Sequence, residues 1–179
     1  SVDLLSGLDV RKPKMSRSGL FVDESGTVVT TAEAVMSCTR ITLENDYQAE
    51  IVMTDDTRGI AILRPMTKLA PMQVASLRGG DARLQSDVAV SGYSYEGVLG
   101  APTMTFGTLA DVKGLNGQPN VKRLAMNALP GDAGGPVLDS EGTVMGMLLP
   151  KASQNGQNLP ADVSFALGSD AIVSLLSEN

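Results

Sequence analysis

Histidine and tryptophan are absent from the 179 residues, and cysteine occurs once, at Cys38. The absence of histidine removes the general base most often used near neutral pH and the most common metal ligand. With one cysteine and no histidine, only carboxylates remain as metal ligands, which excludes the usual zinc sites. A hard cation on Asp and Glu is the alternative left open, but no loop has the spacing of a calcium site. We therefore expect neither a bound metal nor another cofactor.

The single cysteine also excludes a disulfide bond within the chain. Because Cys38 follows an apolar stretch, we interpret it as a small buried hydrophobic residue, with a bridge to a segment outside this chain as the alternative. The chain begins with SVDLLSGLDVRKPKM, which is not a signal peptide. We interpret this beginning as the edge of a mature protein or of an excised domain, and fusion to other domains is left open.

Basic residues are few and scattered. Lys and Arg number 14 against 20 Asp and Glu, for a net charge of −6, and only Arg11, Lys12 and Lys14 are bunched. Nucleic-acid binding requires a basic stripe, and base stacking requires aromatic residues, which make up only 3% of the chain. No apolar run approaches the roughly 20 residues that cross a bilayer. We therefore expect no nucleic-acid partner and no membrane span.

Short segments rich in Val, Ile, Thr and Leu are separated by turn residues, as in all-β sandwiches and barrels. The apolar run 60–63 is predicted to be a strand buried on both sides, and residues 23–26 and 139–142 are predicted to form similar hairpin turns. Only the C-terminal end is predicted to be helical, with Ser169 as its cap. Its apolar stripe consists of Ile172, Val173, Leu175 and Leu176. The predicted strands are 20–22, 27–30, 40–43, 47–53, 60–63, 87–92, 103–112, 122–127, 136–139, 143–149 and 163–167.

The most specific motif is GDAGGPV at residues 131–137. Three glycines around a small residue permit a bend whose successive amides point one way, which suits an oxyanion or a peptide carbonyl. A glycine-rich hairpin turn is the alternative. The segment resembles the GDSGGP or GNSGGP nucleophile loop of trypsin-like serine proteases, and its surroundings resemble the bacterial HtrA/Deg type. Further matching segments, in the family's order, are 18–35, 57–63, 121–128, 138–147 and 164–176.

The resemblance implies an all-β, trypsin/chymotrypsin-like double six-stranded β-barrel with a C-terminal helix. The whole chain, 1–179, then forms one peptidase-fold domain. Its parts are an N-terminal barrel at about 15–75, a linker at about 76–86, a C-terminal barrel at about 87–168 and a helix at about 169–177.

The positions that carry catalysis in this family are altered here. Glu33 occupies the position of the catalytic His, Gly59 that of the Asp and Ala133 that of the nucleophilic Ser. An engineered mutation could explain Ala133 alone, but not the other two positions. Because the triad requires a hydroxyl, an imidazole and a carboxylate, we expect a pseudoprotease. Hydrolysis by the carboxylates of Glu33 and Asp132 is the less favoured alternative.

A binding function can survive the loss of catalysis. The resemblance assigns an oxyanion-hole-like backbone to Gly131, Asp132 and Ala133. It also places a peptide-binding cleft at Asn127, Leu129, Met147, Leu148, Leu149, Ser164 and Phe165. We therefore expect a non-catalytic module that binds an unidentified polypeptide or serves regulation or assembly, located in the periplasm or cell envelope. An interaction domain without a working cleft is the alternative.

Overall fold

Two lobes of β-structure follow one another along the chain in a computed structural model. It describes residues 2–3, 10–11, 15–36, 38, 40–43, 47–71, 73–77, 83–95, 101–114, 117, 120–151 and 160–178. The first two short strands, β1 (Val2–Asp3) and β2 (Val10–Arg11), pair with each other outside both lobes.

The N-terminal lobe is an antiparallel sheet with the strand order β3-β4-β7-β6-β5. Within the described residues it has five strands, one fewer than predicted, and it does not close. The predicted bend at residues 44–46 lies outside the described residues. The strands are β3 (Leu20–Phe21), β4 (Val28–Thr31), β5 (Ile41–Leu43), β6 (Tyr47–Asp55) and β7 (Ile60–Pro65).

The C-terminal lobe is a closed six-stranded barrel, as predicted, with the strand order β10-β13-β12-β11-β8-β9. The all-β class is therefore confirmed. Of the predicted linker, residues 78–82 lie outside the described residues, while Ser76 accepts a hydrogen bond from the Val144 amide. The strands are β8 (Asp87–Gly92), β9 (Thr103–Asp111), β10 (Val121–Ala125), β11 (Pro136–Leu138), β12 (Val144–Leu148) and β13 (Val163–Gly168).

Helical structure is more extensive than the sequence predicts. The C-terminal helix α2 (Ser169–Ser177) forms as expected, but α1 (Ala32–Val35) and a 3₁₀ turn (Pro130–Asp132) were not predicted. The prediction that Ser169 caps α2 is wrong: Gly168 is the N-cap, and the Ser169 hydroxyl donates instead to the buried Val144 carbonyl at 2.7 Å. No helix in the described part of the chain is long and apolar enough to cross a bilayer.

The two predicted hairpin turns share one set of contacts. Asp23 accepts hydrogen bonds from the amides of the residues two and four positions later, and Asp139 does the same. The fourth residue of each turn, Gly26 or Gly142, has a positive φ of 93° or 80°. Cys38 is half-buried, not fully buried, and its thiol lies 3.6 Å from the carbonyl oxygen of Ala34.

Strand β7 is buried on both faces, as the continuous apolar run 60–63 predicts. Ile60 and Ile62 belong to one hydrophobic cluster, and Ala61 and Leu63 belong to another on the opposite face of the sheet. The first of these clusters also contains Val144, Met147 and Leu167 of the C-terminal barrel, together with Ala171, Ile172 and Leu175 of α2. The two lobes and α2 therefore share one core, and a third cluster fills the barrel.

Candidate functional site

Two of the three positions that the resemblance assigns to a catalytic triad contact one short segment, Arg17 and Ser18, and the third contacts the residue before Glu33. The side chain of Glu33 binds Arg17, and the carbonyl of Ala133 accepts a hydrogen bond from the Ser18 amide at 3.0 Å. Gly59 is joined to the same place because its carbonyl accepts a hydrogen bond at 2.9 Å from Ala32, the residue before Glu33. The tertiary structure thus brings residues from both lobes to the boundary between them.

Glu33 lies on α1 and forms an ion pair with Arg17. The Nε atom of Arg17 donates to Oε1 of Glu33 at 2.7 Å, and the two side chains are 13% and 30% exposed. A carboxylate in this state is an acceptor held by a cation. The carboxylate of Glu33 is therefore engaged in an ion pair that is partly exposed to solvent.

Gly59 has a left-handed backbone conformation, with φ = +75°, immediately before β7 begins. Its amide donates to the Asp55 carbonyl at 2.8 Å. Among the described residues, a Cβ at this position would meet the Leu149 side chain alone, at an ordinary contact distance of 3.6 Å. Most L residues adopt this backbone conformation at a cost of roughly 1–2 kcal/mol, and aspartate is among the side chains that tolerate it best.

The nucleophile-like loop is closed on itself. The Asp132 amide donates to the Leu129 carbonyl at 3.0 Å, and the Ala133 amide donates to the Pro130 carbonyl at 3.3 Å. The amides of Gly134 and Gly135 also donate to carbonyls of the chain, and Ala133 is only 2% exposed. An oxyanion-hole-like role for Gly131, Asp132 and Ala133 stays a prediction, because it requires some of these hydrogen bonds to be exchanged.

Asp132 is fully buried, with no exposed surface. Its Oδ1 accepts a hydrogen bond from the Ser94 hydroxyl at 2.6 Å, and its Oδ2 accepts one from the Leu129 amide at 3.0 Å. The Asp132 carboxylate therefore closes the turn by binding both the Ser94 hydroxyl and the Leu129 amide. Within the described residues no hydrogen bond joins Asp132 to Glu33, and each carboxylate has its own partners.

Ser18 is a site residue that sequence reasoning missed. Its hydroxyl donates to the Gly131 carbonyl at 2.8 Å and accepts from the Tyr93 amide at 2.7 Å, while its own carbonyl accepts from the Thr30 hydroxyl at 2.7 Å. Together with its amide, these contacts tie the N-terminal lobe to the loop. No local sequence signal marks Ser18, because its partners Tyr93 and Gly131 lie 75 and 113 residues away.

Accessible surface remains on only part of the predicted cleft. Asn127 is exposed, Leu129 is 39% exposed and Leu149 is half-buried. The remaining four residues are buried. Among them, Met147 and Leu148 belong to two of the hydrophobic clusters, and the Ser164 hydroxyl donates to the Met126 carbonyl at 3.0 Å. The four buried residues are Met147, Leu148, Ser164 and Phe165.

No group of three or more Cys, Asp and Glu side chains in the described ranges is placed to hold a metal ion. The site presents hydrogen-bonding groups, the partly exposed Arg17–Glu33 ion pair and apolar surface at Leu129 and Leu149.

Comparisons with known proteins agree on the kind of fold. A family model described as the trypsin-like peptidase domain matches residues 17–147. An uncharacterised protein of Sinorhizobium fredii, y4bJ, is 29% identical over 169 residues, which is 89% of this chain and 26% of y4bJ. The chloroplastic Protease Do-like 1 of Arabidopsis thaliana is 27% identical over 191 aligned positions, which is 96% of this chain and 41% of that protein.

Among solved structures, the inactive form of a serine-to-alanine mutant of Rv3671c from M. tuberculosis H37Rv matches with a TM-score of 0.72. Its sequence identity is 22%, and the match covers 94% of this chain and 83% of that one. This similarity confirms the two-lobed all-β fold that the resemblance implied. The chain spans well under half of either curated relative, at 26% and 41% of their lengths.

Proposed function

Because the chain belongs to the family of trypsin-like peptidase domains, we propose that it is a member without serine-protease chemistry that acts as a polypeptide-binding or regulatory module. One observation carries the proposal: the chain has no histidine, and Glu33, Gly59 and Ala133 stand at the positions assigned to the triad. Serine proteolysis needs a hydroxyl nucleophile and an imidazole to take its proton. Loss of the triad lowers turnover by about 10⁶.

The contacts of the remaining carboxylates support this proposal. Glu33 is bound by Arg17, and Asp132 is enclosed with Ser94 and the Leu129 amide, so the two carboxylates have separate partners and form no catalytic pair. The surface that remains accessible is suited to contact, because exposed Leu129 and half-buried Leu149 supply apolar area beside the polar Asn127. Apolar area with a few polar groups is the usual composition of a binding site.

The catalytic part of the proposal is tested with casein and fluorogenic peptides. We expect no turnover from the wild-type protein, and none from the Ala133→Ser variant, because a serine without an imidazole is not activated. A turnover that co-purifies with the protein and disappears in the Glu33→Gln variant would overturn the proposal in favour of the carboxylate hydrolase. Circular dichroism is the control: it shows that the preparations without turnover are folded.

The binding part is tested by fluorescence anisotropy with pools of labelled random peptides. We expect Leu129→Asp, which places a charge on the accessible part of the cleft, to weaken binding about tenfold or more. The matched control is Val173→Asp on α2, where the wild-type side chain is 44% exposed compared with 39% for Leu129. Ala133 is too enclosed for a bulky blocking residue, so Leu129 is the better position.

An interaction domain without a working cleft is the second candidate. It is favoured by the burial of Met147, Leu148 and Phe165 and by the internal hydrogen bonds of the loop amides. If this candidate is correct, we expect the folded protein to bind none of the peptide pools. Its partners would then contact an outer surface instead of the cleft. Location in the periplasm or cell envelope remains part of the proposal, and fractionation of cells that express the native protein tests it.

A further inference from the structure

The carboxylate of Glu33 is engaged at only one of its two oxygens. Arg17 approaches Oε1 with Nε at 2.7 Å, while its Nη1 donates to the Ser16 carbonyl at 3.0 Å. Oε2 of Glu33 makes no hydrogen bond with the part of the chain that the structure describes. The ion pair is therefore a single contact and not the two parallel hydrogen bonds that a guanidinium and a carboxylate can form.

This geometry leaves Oε2 of Glu33 available to a second cationic partner. Paired hydrogen bonds between a guanidinium and a carboxylate are stronger and more specific than a single contact. Nη1 of Arg17 donates to the Ser16 carbonyl, and Nε donates to Oε1 of Glu33. This arrangement supplies no hydrogen bond to Oε2. A second cation that reached Oε2 would gain a charge-assisted hydrogen bond that Arg17 does not supply to this oxygen.

The surroundings of Glu33 give such a cation access. The Glu33 side chain is 30% exposed. The amide of Ala32, the residue before Glu33, donates to the Gly59 carbonyl, and a Cβ placed on Gly59 would lie 3.6 Å from the Leu149 side chain. A half-exposed carboxylate next to apolar surface suits a side chain with an apolar stem and a cationic head. The net charge of −6 adds a weak general attraction for basic ligands.

We propose that Glu33 recognises an arginine or lysine side chain of the polypeptide ligand, and that Arg17 is an internal competitor that occupies the carboxylate when no ligand is bound. This inference rests on the proposed peptide-binding function, and it specifies the chemical class of the ligand. The position assigned to the catalytic base is then a specificity determinant.

The test compares two pools of labelled, N-acetylated random peptides that differ only at one central position. That position is arginine in one pool and citrulline, its neutral isostere, in the other. We expect the wild-type protein to bind the arginine pool about tenfold more tightly, the difference being one charge-assisted hydrogen bond. The preference should weaken with added salt, because a half-exposed ion pair is screened.

Two variants assign the effect to the ion pair. Arg17→Gln removes the competitor, so we expect it to tighten binding of the arginine pool about fivefold and to leave the citrulline pool unchanged. Glu33→Gln should abolish the preference for arginine. Glu50→Gln is the control, because it changes the net charge equally at an exposed position on β6. If a Glu33 variant does not fold, the salt dependence of the wild-type preference decides instead.

The outcomes separate this inference from the proposed function. If both pools bind equally well, and Leu129→Asp weakens both, the cleft binds peptides and the role of Glu33 is overturned. If neither pool binds to the wild-type protein or to Arg17→Gln, the peptide-binding function itself fails.

Discussion

At the scale of single residues, the glycines of this chain serve two different purposes. Gly134 has a φ of +91°, and a Cβ there would lie 2.0 Å from the Ser18 carbonyl oxygen and 2.7 Å from the Thr30 hydroxyl. Gly142 has a similar φ of +80°, but a Cβ there would meet nothing within 4 Å. Glycine is therefore required at position 134 both by the positive φ and by the close approach of Ser18 and Thr30. At position 142 it is required by the positive φ alone.

The first prediction compares alanine at these two positions. We expect Gly134→Ala to lower the free energy of unfolding by about 3 kcal/mol or more, because backbone atoms cannot move aside cheaply. Gly142→Ala should cost only about 1 kcal/mol, the cost of the left-handed conformation. Urea denaturation measures both. Equal losses would show that the close approach of the loop to Ser18 is not required for stability.

The second prediction concerns acid stability. Burial raises the pKa of Asp23, but hydrogen bonds from Ser25 and Thr27 outweigh this effect and lower the pKa from 3.8 to about 2. Because the folded-state pKa is the lower one, Asp23 stabilises the protein above pH 3.8, and this stabilisation is lost as the pH falls through about 2.

We therefore expect Asp23→Ala to be less stable than the wild-type protein at neutral pH. The difference in free energy of unfolding should shrink as the pH falls from 3.8 to about 2. Glu24→Ala, at an exposed position in the same turn, is the control. A difference that does not change with pH would rule out the charged form of Asp23 as the stabilising species.

At the scale of elements, α2 connects the lobes through one face. Ile172 and Leu175 are 0% and 1% exposed and belong to the core shared by both lobes, whereas Val173 is 44% exposed. The apolar stripe predicted from sequence included all of these residues. Only the packed structure distinguishes those that contact the core from those that contact solvent.

The third prediction follows from this difference. Ile172→Ala should lower the free energy of unfolding by about 2–4 kcal/mol, because it leaves a cavity between the lobes. Val173→Ala should change it by less than about 0.5 kcal/mol. Thermal and urea unfolding of the two variants give the comparison, and similar losses would mean that α2 does not pack as described.

At the scale of the whole molecule, the lobes are held together by polar contacts as well as by the shared core. Ser18 is buried, with 5% of its surface exposed. Its hydroxyl donates to the Gly131 carbonyl and accepts from the Tyr93 amide. We expect Ser18→Ala to cost about 2 kcal/mol, because it leaves a buried carbonyl and an amide without this partner. Ser177→Ala removes an exposed hydroxyl that donates to Val173 and is the control for urea unfolding.

If Ser18→Ala lowers the free energy of unfolding no more than Ser177→Ala does, the Ser18 hydroxyl does not stabilise the contact between the lobes. The peptide-pool assay on Ser18→Ala also shows whether a looser loop changes binding.

The sequence by itself determined most strand segments, the two hairpin turns at 23–26 and 139–142, and the loop motif at 131–137. Each of these depends on neighbours within a few positions. The run 60–63 and the spacing of Asp23 and Gly26 are local patterns of this kind. The tertiary structure alone decided the closure of the loop, the burial of Asp132 and the ion pair of Arg17 with Glu33. These features depend on contacts between residues far apart in the chain, such as Ser18 with Gly131, and such contacts exist only after the lobes have packed.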